Sequence, residues 1–139
     1  MKQRILIISD DRTSESLRRA LDESGFDVEL TDDANDGYRQ IRVGTFDLVL
    51  VNLDSAITGA GLIKRIRSNS NLDQMRIMTV AEWGTGQATM ALAQGVDSFE
   101  PKPVEAGRLI ETIDRLLQPV AMTAWARAAK KRDLEDSQT

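Results

Sequence analysis

Short, unbroken apolar runs alternate along the chain with longer stretches in which apolar residues recur every three or four positions. Arg4–Ser9 (RILIIS) is continuous and β-branched, as a strand covered on both faces should be. Thr13–Ser24 then places Leu17, Ala20 and Leu21 on one stripe and stops at Gly25, which suits the left-handed turn that closes a helix. The pairing repeats four more times. Strands are predicted at Phe26–Leu30, Phe46–Asn52, Arg76–Val80 and Val96–Pro101, with helices at Asp33–Val43, Gly59–Arg67, Thr85–Gln94 and Glu105–Leu117. The second helix turns Ala34, Tyr38 and Ile41 inward, and the last turns Leu109, Ile110, Ile113, Leu116 and Leu117 inward.

Strict strand–helix alternation with short connections predicts an α/β fold: a doubly wound, five-stranded parallel sheet between two layers of helices. Pro101 has no N–H to give a ladder, which assigns the fifth strand to an edge. In such sheets the crevice that binds ligands opens beyond the carboxyl ends of the strands. Asp10, Asp11, Asn52, Asp54, Val80, Ala81 and Lys102 all fall at those ends. Residues 1–118 form this domain. Residues 119–139 read as an extension in which Pro119 opens a short amphipathic helix around Trp125, followed by a frayed polar tail.

Composition removes several chemistries. With no Cys and no His, thiol chemistry, disulfides, imidazole bases and Cys/His metal sites are excluded. A net charge of −4 gives the whole molecule no attraction to nucleic acid or an anionic membrane. The start, MKQRILIISDD, has an apolar run too short for a signal peptide or a membrane span, so the expected location is cytoplasmic.

Asp10-Asp11 after the first strand, FDLVLVN at the third and FEPKP at the fifth resemble a response-regulator receiver domain over residues 1–118. The resemblance implies a flavodoxin-like sheet in 2-1-3-4-5 order with five helices. It also implies an aspartyl-phosphate switch that uses Mg²⁺ and is controlled by a histidine kinase. In that chemistry a carboxylate attacks phosphorus, and an acidic pair holds the hydrated cation. The cation and a lysine neutralise charge on the phosphoryl oxygens. Carried onto this sequence, Asp10, Asp11 and the Asp54 backbone carbonyl would hold the metal, and Lys102 would contact phosphate. Phe99 stands at the place of a switching aromatic, and Pro103 follows the lysine.

The sequence departs from the family pattern at three points. The acceptor position is Asn52, whose amide nitrogen is delocalised and not nucleophilic. The hydroxyl position at the end of the fourth strand is Val80, or Ala81 with a one-residue slip. The loop from Asn52 to Gly59 is one residue short and lacks the Met-Pro pair. Such a chain is expected to be a pseudo-receiver, not an enzyme, that acts by contacting a signalling partner or histidine kinase. Helix four, strand five and helix five would form the contact face, with a homodimer as one use of it. The competing reading is a phosphorylatable regulator that uses Asp54 as a shifted acceptor.

Blander readings stand beside these. Asp10 and Asp11 could simply cap the first helix, and Lys102 could be an ordinary surface lysine. Asp54 reads as a solvated loop acid, Trp83 and Gly84-Thr85-Gly86 as an exposed loop, and Glu100 has no evident role. A flavin-phosphate binder is disfavoured because carboxylates follow the first strand, where phosphate needs donors. An aspartyl phosphatase would place Asp-x-Asp there.

Overall fold

The computed structural model describes residues 2–54, 59–72, 74–82, 84 and 86–117. Five strands, β1 (Arg4–Ile8), β2 (Asp27–Thr31), β3 (Leu48–Asn52), β4 (Arg76–Ala81) and β5 (Ser98–Pro101), alternate with α1 (Thr13–Glu23), α2 (Ala34–Val43), α3 (Gly59–Arg67), α4 (Gln87–Ala93) and α5 (Ala106–Leu116). All pairings are parallel, in the order β2-β1-β3-β4-β5, so β5 with its proline lies at an edge as expected. The tail helix predicted around Trp125, the Ser55–Thr58 part of the short loop, and Trp83 and Thr85 lie outside the described residues.

The period-two alternation of side chains sorts the strands into two cores. Leu6, Ile8, Val49, Val51 and Ile77 pack with Ile41 of α2, Leu62, Ile63 and Ile66 of α3, and Ala91 of α4. Ile5, Ile7, Leu48, Leu50, Met78 and Val80 pack on the other face with Leu21 of α1 and Leu109 and Ile113 of α5. Truncating any one of the fully buried leucines or isoleucines to alanine is expected to cost about 2–5 kcal/mol.

Boundaries move where a backbone group has another partner. Phe26 is not the first residue of β2, because its N–H closes α1 on the Leu21 carbonyl at 3.2 Å. Gly25 makes the turn between them at φ 99°. Phe46 and Asp47 precede β3: the Asp47 carboxylate accepts the Arg4 N–H at 2.8 Å, and the Arg4 guanidinium lies 4.4 Å over the Phe46 ring. The fourth helix begins after Gly86, whose φ of 81° no right-handed helical residue adopts.

Asp33 caps α2 by accepting from the Asn35 and Asp36 amides. Asp36 in turn binds Gln40, Arg39 and Thr31. The Gln40 hydrogen bond, then those from Arg39 and Thr31, hold its carboxyl below the usual range. A lowered folded value means that this anchor is intact at neutral pH and is lost as pH falls through that value.

Candidate functional site

The carboxyl ends of β1, β3 and β4 and the segment after β5 converge on one cleft of about 670 Å³. Asp11, Ser14, Leu17, Asn52, Val80 and Lys102 are among the residues that line it. Parallel register sets the floor: Asn52 pairs with Val80, and Val80 with Glu100. Leu53 N–H to the Val80 carbonyl (2.9 Å) and Lys102 N–H to the Ala81 carbonyl (3.0 Å) carry the pairing into the loops. Lys102 is thereby delivered to the head of the site by the backbone itself.

Asn52 is almost fully buried, and its amide is used at both ends. Nδ2 donates to Ser9 Oγ at 2.9 Å, and Oδ1 accepts the Asp54 N–H at 3.1 Å. The orientation follows from the partners, since a backbone N–H can only donate. Ser9 Oγ also accepts the Asp11 N–H at 3.1 Å and lies 2.7 Å from the Ser14 hydroxyl. This network ties β1, α1 and β3 together beneath the cleft.

Asp54 lies in an exposed turn, as the sequence suggests, but its carboxylate is engaged. Held by the Asn52 turn, it folds back so that Oδ2 accepts from Lys102 Nζ at 3.1 Å and from the Glu82 N–H at 2.7 Å. Lys102 Nζ also lies 3.7 Å from Asp11 Oδ2. One carboxylate therefore links the exits of β3, β4 and β5. Val80 and Ala81 are buried and bring no hydroxyl to the cleft. Phe99 is half-buried beside Thr79 in the ladder, and Pro103 lines the cleft. Asp10 lines a second, smaller cleft of about 410 Å³ with Asp11, Arg12, Glu15, Thr31 and Asp32.

Glu100 also finds its explanation here. It is buried at 8% exposure toward α5, where Arg108 Nε lies 3.3 Å from Oε2 and the Thr112 hydroxyl donates to Oε1 at 3.3 Å. A buried charge needs such partners, and they fasten α5 to the edge strand.

Residues 5–114 match the model of the response regulator receiver domain. The chain belongs to that family. The receiver is 30% identical over 112 residues to the transcriptional regulatory protein DltR of Streptococcus agalactiae, covering 79% of this chain and 50% of the relative. It is 32% identical over 120 residues to the response regulator MprA of Mycobacterium leprae, covering 83% and 51%. It thus spans about half the length of the curated relatives it matches. Among solved structures, a CheY-like receiver protein from Methanospirillum hungatei superposes with a TM-score of 0.74 at 26% identity, covering 84% of this chain and 94% of the other. A receiver domain of a sensor histidine kinase from Pseudomonas aeruginosa, with magnesium in its active-site cleft, gives 0.76 at 20% identity, covering 84% and 98%.

The donors of this receiver, as they stand, do not fit Mg²⁺ well. Asn52 brings a neutral amide to the cleft, and its oxygen is engaged by the Asp54 N–H. The Lys102 ammonium lies by Asp11 and Asp54. Among the described residues no group of three or more His, Cys, Asp or Glu is placed to hold a metal ion. A carboxylate at position 52 adds a unit charge, worth on the order of 4 kcal/mol per unit of cation charge at about 4 Å near a surface before desolvation. Asn52→Asp should therefore tighten Mg²⁺ binding measurably by calorimetry; equal affinities would contradict this account of the site.

Ser9, Ser14 and the Glu82 amide are the site groups that sequence reasoning missed. A serine between an apolar run and an acidic pair was the one available signal for Ser9. The other two carry none.

Proposed function

We propose that this receiver is a phosphorylation-independent module of two-component signalling, a pseudo-receiver that acts by binding rather than by turnover. One observation carries the reading: the Asp54 carboxylate already engages Lys102 and the Glu82 amide, while Asn52 offers no nucleophile. The charge that a phosphoryl group would bring to this crevice is supplied by the chain. Glu82, where the chain leaves β4, is therefore held without a covalent event, and a buried Val80 has no hydroxyl to couple it to one.

Its partners in this reading are a histidine kinase or another signalling protein, or a second copy, on the face of α4, β5 and α5. Met90 and Leu92 of α4, 57% and 58% exposed, would supply apolar contacts on that face. Among the described residues no helix is long and apolar enough to cross a membrane.

The second reading, Asp54 as a shifted acceptor, has its own support in the 3.1 Å contact to Lys102. Phosphoryl uptake separates the two. Hydrogen exchange adds an independent check: Asp54→Ala should speed exchange of the Glu82 amide by about tenfold or more, the equivalent of one hydrogen bond to a charged group. Asp54→Asn, which keeps an acceptor oxygen, should give a smaller change. An amide unmoved by Asp54→Ala would remove the clamp from the proposal.

A further inference from the structure

A second polar surface lies away from the cleft, between α2 and α3. Tyr38 sits half-buried there, with the Arg65 guanidinium 4.2 Å and the Arg42 guanidinium 5.8 Å from its ring centre. Asn69 Nδ2 donates to the Tyr38 hydroxyl at 3.2 Å, and Asn35 Oδ1 accepts from Arg65 Nη1 at 2.9 Å. A concavity of about 670 Å³ opens beside them, lined by Tyr38, Lys64, Arg65, Ser68, Asn69 and Ser70.

Arg42, Lys64 and Arg65 are exposed, and none of them forms an ion pair among the described residues. The neighbouring acid, Asp36, is committed to Arg39, Gln40 and Thr31. Arg65 is thus fixed by a ring and a neutral amide, which orient a guanidinium without cancelling its charge. On a chain of net charge −4, three clustered and uncompensated cations stand out.

We propose that this α2–α3 surface binds a short acidic segment of a partner protein, with Arg65 as the oriented carboxylate receptor and Lys64 and Arg42 flanking it. Guanidinium groups take carboxylates in a bidentate fork, and the Ser68 and Ser70 hydroxyls add donors at the rim. Nucleic acid fits less well. A polyanion gains affinity by neutralising many phosphates in a row, and this patch ends at exposed Asp32 and Asp33 before α2. A short peptide can lie wholly on the basic part.

The test is a titration of the full chain at low salt with an Asp/Glu-rich peptide, followed by amide NMR and calorimetry. Shifts should centre on Tyr38, Lys64, Arg65 and Asn69, and the affinity should fall as salt rises. Arg65→Gln should weaken binding roughly tenfold or more, as loss of a charge-assisted contact does. The double variant Lys64→Glu, Arg65→Glu should abolish binding, with thermal melting as the control for folding. Tyr38→Phe keeps the ring and should retain most of the affinity. The proposal is overturned if the peptide binds the double variant equally well or shifts residues elsewhere. It is also overturned if a single-stranded oligonucleotide of equal charge binds this patch more tightly. None of these outcomes depends on whether the cleft accepts phosphate.

Discussion

Incubated with acetyl phosphate and Mg²⁺, the protein should gain no phosphoryl mass, and beryllofluoride should leave its spectrum unchanged. Both reagents need a carboxylate oxygen that is free to bond to them. Asn52 has an amide nitrogen donating to Ser9 and an oxygen accepting from the Asp54 N–H. Neither end carries the charge that an attack on phosphorus requires. Asp54 does carry charge, but Oδ2 is held by Lys102 and the Glu82 amide, which lowers its nucleophilicity and fixes its direction. Mass spectrometry of the treated chain decides the matter. An adduct mapped to Asp54 by fragmentation would sink the pseudo-receiver and establish the shifted acceptor in its place. Asn52→Asp is the complementary variant: it restores a nucleophile at the place where Ser9 can hydrogen-bond it, and should take up phosphate where the parent takes up none.

The five βα units were legible because strands covered on both faces read as continuous apolar runs, such as ILII in β1 and LVLV in β3. The edge strand β2 was placed one residue early because the Phe26 amide belongs to the end of α1, a tertiary detail with no periodic trace. At the site, Asp11, Asn52 and Lys102 could be found because strand ends converge by topology alone. The partners of Asp54 were not legible because its direction depends on one turn, set when the Asn52 oxygen accepts the Asp54 N–H. Glu100 was opaque for a related reason: its partners Arg108 and Thr112 lie on the next helix, and only packing brings them over the strand. Position along the chain showed which residues reach the crevice. It could not show which of them already hold one another.

The largest loss of stability from a single polar substitution is expected at the opposite end of the sheet, in Asp97→Ala. Asp97 precedes β5, and its Oδ2 accepts the Ile77 N–H at 2.8 Å and Arg67 Nη2 at 3.0 Å. Arg76 approaches Oδ1 at 3.7 Å. Arg67 also donates to the Gly95 carbonyl at 2.9 Å and the Met75 carbonyl at 2.7 Å, so the pair sews α3 to the starts of β4 and β5. Both side chains are only about one-fifth exposed, at 19% and 23%, which limits screening by water. Removing the carboxylate leaves a buried strand amide without its acceptor and a guanidinium without its counter-charge. The expected cost is roughly 2–4 kcal/mol, below the figure for a fully buried pair because some solvent reaches this one. Urea unfolding should show a lowered midpoint with an unchanged slope, the sign of lost stability in an intact fold. A shift well under 1 kcal/mol would mean that Arg67 and water replace the carboxylate. Because these residues lie at the amino ends of the strands, the cleft around Asn52 and Asp54 should keep its contacts. Partner binding by folded Asp97→Ala should therefore match the parent, while Asp54→Ala should alter binding at little cost in stability.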